Sequence, residues 1–188
     1  MKEFLWVDLE TTGLDEKNGL ILEVSAVVTD EKFSTVEEFS TVVGYQRPLL
    51  MSTLNKWSTE QHTKSGLIEE VVTSSITEDQ VCTDLAAMIK RHWYTNLGEN
   101  KPILCGNSIH FDRKWISHCM PYVDSLLHYR MIDVSGIYEA YRGFAGLELE
   151  KTEGKHRGLS DIYDSISLCK KAMIPLLEWT TMAKVHRL

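Results

Sequence analysis

Two acidic residues follow an apolar run near the start of the chain. The run FLWV at positions 4–7 predicts a buried strand over residues 3–9, with Asp8 and Glu10 two positions apart at its end. Side chains two apart on a strand leave the same face, so these carboxylates would repel each other and lose solvation unless cations neutralise them. The alternative is an exposed pair at a sheet edge, which the apolar run disfavours. A metal site here needs further ligands from other segments.

A three-stranded meander is predicted for the first part of the chain. The strand at 3–9 is followed by TTGLDEKNG, a segment rich in turn-forming residues, and then by an apolar, β-branched strand at 20–29. A third and more polar strand at 33–43 is expected near a sheet edge.

Helices and strands alternate after this meander, in the order βββαβαβα. This order predicts an α/β protein whose mixed five-stranded sheet, a meander followed by parallel strands, is flanked by helices. The later predicted elements are a helix at 77–95, a strand at 102–106, a helix capped by Asn107 or Ser108 and ending near residue 119, a strand at 130–134, and a helix at 159–173.

Composition favours a single domain in a reducing compartment. The chain has 188 residues, of which 43% are hydrophobic and 25% charged, so one domain over 1–188 is expected. The N-terminus becomes acidic too early for a signal peptide, and no apolar run approaches the ~20 residues of a membrane helix. We therefore expect a cytoplasmic protein with no membrane contact. Its four cysteines show no metal-binding spacing, so reduced thiols are expected.

The net charge restricts the nucleic acids that the chain can bind. A formal charge of −7 disfavours a protein that coats long nucleic acid, because such binding neutralises many phosphates with Lys and Arg. A nuclease with a short footprint is compatible with this charge, since bound divalent cations would supply positive charge where the phosphate lies.

Two later segments supply the further ligands. Asp112 lies in the first turns of a predicted helix, where the alternative is that it only stabilises the helix dipole. His156 and Asp161 bracket the start of the last helix, and the alternative for His156 is a surface loop histidine. Taken together, the four carboxylates of Asp8, Glu10, Asp112 and Asp161 could hold two divalent cations, and a histidine could accept a proton from attacking water.

These residues in this order resemble the DEDD exonuclease superfamily. The spacing H-RGLS-D, from His156 to Asp161, is typical of its histidine-containing branch, whereas the tyrosine branch would place Tyr where Arg157 stands. The resemblance implies a ribonuclease H-like fold, two Mg²⁺ or Mn²⁺ ions, and stepwise release of 5′-mononucleotides from a 3′ end. The implied metal ligands are Asp8, Glu10, Asp112 and Asp161, and the implied catalytic base is His156.

More specific segments resemble the oligoribonuclease family. They include W-x4-HTKSGL at 57–67 and LHYR-x2-DVS at 127–135, and the matching segments together extend from residue 5 to 161. This resemblance implies a single 3′→5′ exonuclease domain over 1–188 that cleaves short single-stranded oligoribonucleotides, especially dinucleotides, at the end of RNA decay.

The same resemblance implies a set of substrate-binding residues and a homodimer. Leu14 and Trp57 would pack on the bases, and His62 would contact the substrate. The 5′ phosphate would be held by Ser108, Arg130 and Ser135, and Tyr129 would enter the site from a partner subunit.

Several positions depart from the oligoribonuclease pattern. Tyr138 stands where lysine is expected, Phe144 where tryptophan is expected, and His110-Phe111 where Gly-Gln is more common. Phe111 before Asp112 is closer to a single-strand DNA 3′→5′ proofreading or repair exonuclease, which is the first alternative. The second alternative is a non-catalytic nucleic-acid-binding protein on the same fold.

Overall fold

A mixed five-stranded sheet forms the centre of the molecule. The computed structural model describes residues 2–95, 98–146, 148 and 156–185. In chain order the strands are β1 (Phe4–Thr11), β2 (Ile21–Thr29), β3 (Thr35–Val42), β4 (Tyr94–Thr95), β5 (Gly98–Glu99), β6 (Leu104–Gly106) and β7 (Met131–Asp133). The large sheet has the order β3-β2-β1-β6-β7, and β4 pairs with β5 in a separate hairpin.

The sheet has the predicted topology. Strands β1, β2 and β3 pair antiparallel as a meander, and β6 and β7 add to β1 in parallel. The polar strand β3 lies at an edge of the sheet. The expected order of a meander followed by parallel strands is therefore confirmed.

Helices cover both faces of this sheet. They are α1 (Arg47–Thr53), α2 (Lys56–Lys64), α3 (Leu67–Thr73), α4 (Glu78–Trp93), α5 (His110–Cys119), α6 (Pro121–Leu126), α7 (Val134–Ala140) and α8 (Gly158–Val185), with a π-helical turn at Tyr141–Ala145. None of the helices in the described ranges is long and apolar enough to cross a membrane.

Alternation along β1 divides the core into two layers. Leu5, Val7 and Leu9 face α4, α5 and α6, whereas Trp6 faces α7 and α8. The predicted stripe on the last helix is confirmed, since Ile162 and its later helical neighbours pack against Trp6. Asp8 and Glu10 share the Trp6 face, so they point towards α8.

The sequence prediction missed or misplaced several short elements. Helices α1, α2 and α3 were not predicted because each has seven to nine residues, too few for a helical repeat to stand out. The expected cap of α5 by Asn107 or Ser108 is wrong. Ile109 occupies the N-cap without a side-chain hydrogen bond, and Ser108 has a left-handed φ of 51°.

Candidate active site

Asp8, Glu10 and Asp161 converge on the α8 side of the sheet. Each offers a carboxylate oxygen, and these oxygens lie within 4.8 Å of one another. The first two come from β1, and Asp161 comes from the first turn of α8. Clustered carboxylate oxygens are the ligands that Mg²⁺ and similar hard cations prefer. The donor set therefore fits a divalent metal ion.

A close approach of α8 to β2 brings Asp161 into this cluster. A β-carbon on Gly158, the first residue of α8, would lie 2.4 Å from Ser25 Oγ and 2.6 Å from Ser25 Cβ. Both distances are far below van der Waals contact, so a residue without a side chain is required here. The start of α8 can thus reach the sheet beside Asp8, with which Ser25 is paired in register.

Asp112 reaches the same end of β1 from the other side of the sheet. It lies in the first turn of α5, is 5% exposed, and its Oδ1 accepts a 2.9 Å hydrogen bond from the backbone N–H of Leu9. Leu9 separates Asp8 from Glu10 in the chain, so this bond fixes the carboxylate of Asp112 against the pair. The structure thus brings three of the four carboxylates that were predicted as ligands within 4.8 Å of one another, and it places the fourth, Asp112, against the strand that carries two of them.

The cluster carries negative charge that is unfavourable without counter-ions. Burial, with repulsion from Asp161 as the next cause, raises the pKa of Glu10 to about 8. Burial raises the pKa of Asp112 to about 7. The pKa of Asp8 lies well above its ordinary value because of burial and then of Asp112 and Glu10. A bound divalent cation would relieve both the desolvation and the repulsion.

His156 lies directly before α8 in an unusual backbone conformation. Its φ is 52°, in the left-handed region that side-chain-bearing residues rarely adopt. Its half-buried imidazole meets the ring of Trp57 edge-on, with ring centroids 5.3 Å apart and an angle of 86° between the planes. Trp57 therefore fixes one side of the ring that was predicted to act as the base.

His62 lies beneath the carboxylates rather than on the open surface. It is 1% exposed, its Nε2 lies 2.9 Å from the carbonyl oxygen of Thr11, and its Nδ1 lies 3.8 Å from Glu10 Oε2. Burial lowers the pKa of His62, and His156 acts in the same direction. In this structure the ring supports β1, and the predicted contact with substrate stays a prediction.

Leu14 and Trp57 present apolar surface at the rim of the site. Leu14 is 77% exposed and Trp57 is 57% exposed. Their two segments are joined, because the backbone N–H of Asn55, the N-cap of α2, donates to the carbonyl oxygen of Thr12 at 3.1 Å. Large exposed apolar side chains that lie close together are typical of surfaces that bind a partner or ligand.

The predicted phosphate-binding hydroxyls also come together. The hydroxyl oxygens of Ser108 and Ser135 lie 3.4 Å apart. Asp133 Oδ1 accepts hydrogen bonds from the backbone N–H groups of both serines, each at 3.0 Å, and from the Ser135 hydroxyl. His110 Nδ1 lies 3.3 Å from Asp133 Oδ2. Asp133 thus organises this cluster, although the sequence analysis did not assign it a role.

Tyr129 and Arg130 lie together before β7. Tyr129 is 73% exposed, stacks on His128 with ring centroids 4.5 Å apart, and has the guanidinium of Arg130 5.0 Å from its ring centroid. A single chain does not test a contact across a dimer interface, so the predicted role of Tyr129 stays a prediction.

Comparison with known proteins identifies the family. The exonuclease family of RNase T matches residues 5–169. An oligoribonuclease of Nitrosomonas europaea is 36% identical over 168 residues, which cover 88% of this chain and 91% of that relative. An oligoribonuclease of Thiobacillus denitrificans is 37% identical over 164 residues, which cover 86% and 88% respectively. The chain belongs to the oligoribonuclease family.

Solved structures similar to this oligoribonuclease family member show its fold. Apo exonuclease I superposes with a TM-score of 0.69 at 15% identity, over 91% of this chain and 42% of that chain. Exonuclease I from Methylocaldum szegediense gives 0.68 at 13% identity, over 91% and 40%. The chain thus spans less than half of these larger enzymes. The ribonuclease H-like fold is confirmed, and the proofreading alternative gains no support at this level of identity.

One buried carboxylate near the site was missed by the sequence analysis. Glu23 lies on β2 directly opposite Glu10, is 3% exposed, and binds the guanidinium of Arg157. The available signal was a lone glutamate inside the apolar strand LILEVSAVVT, because a buried charge requires a partner.

Two departures from the oligoribonuclease pattern lie away from the carboxylates. Tyr138 on α7 packs against the core between the sheet and α8. Phe144 in the π-helical turn is 95% exposed. Neither position supplies a group to the carboxylate cluster.

Proposed function

We propose that the chain is a divalent-metal-dependent 3′→5′ exoribonuclease that hydrolyses short oligoribonucleotides, dinucleotides above all, to 5′-mononucleotides. The observation that carries this proposal is the meeting of Asp8, Glu10 and Asp161 oxygens within 4.8 Å, with Asp112 bound beside them. Membership of the oligoribonuclease family supports the substrate class.

The carboxylates would hold two Mg²⁺ or Mn²⁺ ions. Asp8, Glu10 and Asp161 would hold the first ion, and Asp112 with Asp8 the second. When bound, such ions activate water and neutralise charge on the reacting phosphate. Each carboxylate needs to be ionised for this role, and the charge of the ions is what would keep it ionised against burial.

His156 would accept the proton of the attacking water. Histidine is the side chain that most often acts as general acid or base at neutral pH. Its contact with Trp57 supports this role, because the ring is held rather than free to rotate. Phosphoryl transfer depends mostly on positioning and charge neutralisation, so the held ring and the fixed carboxylates would contribute together.

Two groups of residues would contact the substrate, and the second group would limit its length. Leu14 and Trp57 would stack on the bases, which tolerates any sequence because every base has a π-face. Ser108 and Ser135 would hold the 5′ phosphate with Arg130, whose guanidinium can bind phosphate in a bidentate manner. A pocket closed around that phosphate has no path for a longer chain.

The remaining predictions belong to the same proposal. The chain would act as one 3′→5′ exonuclease domain over 1–188, in the cytoplasm. It would form a homodimer in which Tyr129 of one subunit completes the site of the other. The 73% exposure of Tyr129 supports this arrangement, since a large aromatic side chain that is mostly exposed is available to a partner.

The DNA exonuclease alternative rested on Phe111. Its ring packs on Trp115, with ring centroids 6.2 Å apart, at the edge of the core. Packing explains a phenylalanine at this position, so nothing in the site favours a DNA substrate and a second function is not proposed.

The test compares three substrates with Mg²⁺ and with EDTA. They are a 5′-phosphorylated RNA dinucleotide, a 7-mer RNA and a single-stranded DNA. The proposal expects metal-dependent cleavage of the dinucleotide well ahead of the other two. Equal rates on the dinucleotide and the 7-mer would refute the closed phosphate pocket, and processive trimming of DNA with a poor dinucleotide rate would establish a DNA exonuclease.

A further inference from the structure

Arg157 joins three parts of the fold next to His156. Its Nε lies 3.1 Å from Glu23 Oε2 on β2. Its Nη1 and Nη2 lie 2.7 Å and 2.9 Å from the two carboxylate oxygens of Glu70 on α3. The guanidinium therefore ties the segment that enters α8 to the sheet and to a helix packed beyond it. We call this arrangement the Arg157 clamp.

The inner half of the clamp is buried. The side chain of Glu23 is 4% exposed, and a buried carboxylate needs several donors. Besides Arg157, it receives a 3.2 Å hydrogen bond from the Ser40 hydroxyl and a longer one, 3.4 Å, from the backbone N–H of Gly158. Glu23 thus accepts hydrogen bonds that hold the start of α8, although it lies opposite Glu10 in the β1–β2 pair.

The residue held by the clamp needs such support. His156 has a φ of 52°, and side-chain-bearing residues keep a left-handed conformation only where the surrounding structure holds them. On one side of His156 the ring of Trp57 contacts the imidazole. On the other side the guanidinium of Arg157 binds Glu23, which also accepts from the backbone N–H of Gly158. The ring is therefore contacted by Trp57, and the backbone that follows it is held by the clamp.

We propose that Arg157 is a positioning residue whose clamp on Glu23 and Glu70 holds the backbone beside His156 and thereby fixes where its imidazole lies. The inference rests on the proposed function, and specifically on His156 as the base. Lysine cannot replace this arginine fully, because an ammonium is a point charge and cannot present the guanidinium fork to two carboxylates. The clamp acts through His156 and makes no contact with the reacting atoms.

A double-mutant cycle tests this route of action. Arg157→Gln is made in the wild-type protein and in His156→Ala, and kcat and KM are measured on the RNA dinucleotide with Mg²⁺. In the wild-type background we expect kcat to fall about 10- to 100-fold, the range for a misplaced catalytic group, with KM nearly unchanged. In the His156→Ala background the same substitution should have almost no further effect. Equal losses in both backgrounds would overturn the proposal.

A spectroscopic measurement tests the same point without turnover. The Cε1–H NMR signal of His156, assigned by its loss in His156→Ala, is compared between wild-type protein and Arg157→Gln. We expect one resonance to become several or to broaden. An unchanged signal would mean that Trp57 alone orients the ring. Mn²⁺ titration by calorimetry should give similar affinity for both proteins, since the clamp is not a metal ligand. A large loss of affinity would mean that Arg157 acts on the carboxylate cluster, by holding Asp161 on α8 or through its charge near Glu10, and would overturn the proposal.

Two further variants complete the design. Arg47→Gln removes the Arg47–Glu69 ion pair, which also joins an arginine to α3, and should leave kcat and the His156 signal unchanged. If Arg157→Gln fails to fold, Glu70→Gln weakens the exposed half of the clamp and should lower kcat partially. A Glu70→Gln protein with wild-type kcat and signal would then refute the clamp.

The design separates this inference from the proposed function. Wild-type protein that does not cleave RNA with Mg²⁺ would refute the proposed function, while the NMR comparison would still test whether Arg157 orients His156. Wild-type protein that cleaves normally, with Arg157→Gln fully active and its His156 signal unchanged, would refute the inference alone.

Discussion

Asp112 Oδ1 accepts a 2.9 Å hydrogen bond from the backbone N–H of Leu9. The bond joins α5 to the sheet, because Asp112 comes from α5 and Leu9 lies on β1 between Asp8 and Glu10. One oxygen of this carboxylate therefore fixes its position against the strand, and the proposed function assigns the carboxylate to a metal ion. This proposed role leads to the first prediction.

Turnover should be abolished whether a substitution of Asp112 removes the whole carboxylate or only its negative charge. Asp112→Ala removes both, and Asp112→Asn keeps the shape while removing the charge. We expect loss of about 10³-fold or more in kcat for both, since metal-based positioning and charge neutralisation supply most of the rate in such reactions. Stopped or discontinuous assays on the dinucleotide measure this. An Asn variant within tenfold of wild type would remove Asp112 from the ligand set.

His156→Ala should slow catalysis strongly while substrate binding is largely kept. General bases contribute typically about 10²- to 10⁴-fold, and the proposal assigns stacking on the substrate bases to Leu14 and Trp57 rather than to His156. Steady-state kcat and dinucleotide affinity in Ca²⁺, measured by fluorescence polarisation, separate the two effects. Full activity of this variant would eliminate the general-base role. The matched control is His118→Ala, which changes a histidine at the end of α5.

Stability in EDTA should fall as pH rises, and metal should restore it. The pKa of Glu10 is raised from 4.5 to about 8, so the folded state binds this proton more tightly than the unfolded state. Its contribution to the free energy of unfolding is present below about pH 4.5 and is lost as pH rises through about 8. We expect the gain in Tm on adding Mn²⁺ to be larger at pH 8 than at pH 5.5.

Glu10→Gln isolates this effect. Without the carboxylate, Tm in EDTA at pH 8 should exceed that of wild-type protein by several degrees, corresponding to about 1–3 kcal/mol in a domain of this size. At pH 4.5 the two proteins should differ little. Glu60→Gln, a change at an exposed position of α2, should give no such difference. Equal Tm of the Glu10 variant and wild type at pH 8 would contradict the repulsion argued here.

A single methyl group at Gly158 should disturb the site. Its β-carbon would lie 2.4 Å from Ser25 Oγ, so the first turn of α8 must move outward and take Asp161 with it. We expect Gly158→Ala to destabilise the fold by roughly 1–3 kcal/mol and to weaken Mn²⁺ binding. Gly136→Ala on α7 has open space around its β-carbon and should be neutral or slightly stabilising. Unchanged metal affinity in Gly158→Ala would show that α8 can shift without moving its ligand.

Trp57→Ala should affect both binding and the chemical step. Loss of stacking on one base costs about 1–3 kcal/mol, or roughly 5- to 150-fold in KM, and loss of the ring contact with His156 should lower kcat as well. Trp57→Phe should keep most of the binding. Tyr122→Ala, which removes an exposed aromatic ring outside the site, serves as the control. A Trp57→Ala protein with unchanged KM would place the bases elsewhere.

The sequence predicted the sheet and the meeting of the carboxylates better than the surroundings of the site, and the role of these carboxylates as metal ligands stays a prediction. Long apolar strands and the helical stripe from Ile162 onward carry a clear period, and Asp8 and Glu10 on one strand can only share a face. Glu23 could not be placed in the same way, because its partner Arg157 is 134 positions away in the chain. Pairs of that separation are fixed by tertiary packing.

The same limit applies to the surroundings of His62 and to Asp133. The resemblance implies a substrate contact for His62, which stays a prediction, and the sequence does not show that the packing of α2 leaves this residue 1% exposed. Asp133 was not singled out since an aspartate at the end of a short strand is common. Only the folded structure shows that its carboxylate accepts hydrogen bonds from the backbone N–H groups of Ser108 and Ser135.

Leu14 is displayed by a turn that is already ordered. Asp15 caps that turn through Lys17 N–H at 3.1 Å and the Asn18 side-chain amide at 2.7 Å, and the backbone N–H of Gly19 donates to its carbonyl oxygen at 2.8 Å. An apolar side chain on so constrained a loop loses little conformational entropy when a ligand arrives. A small substrate makes few contacts, so its binding free energy can offset only a small entropic cost of ordering a loop. Here that cost is low, because the loop is already ordered in the folded protein.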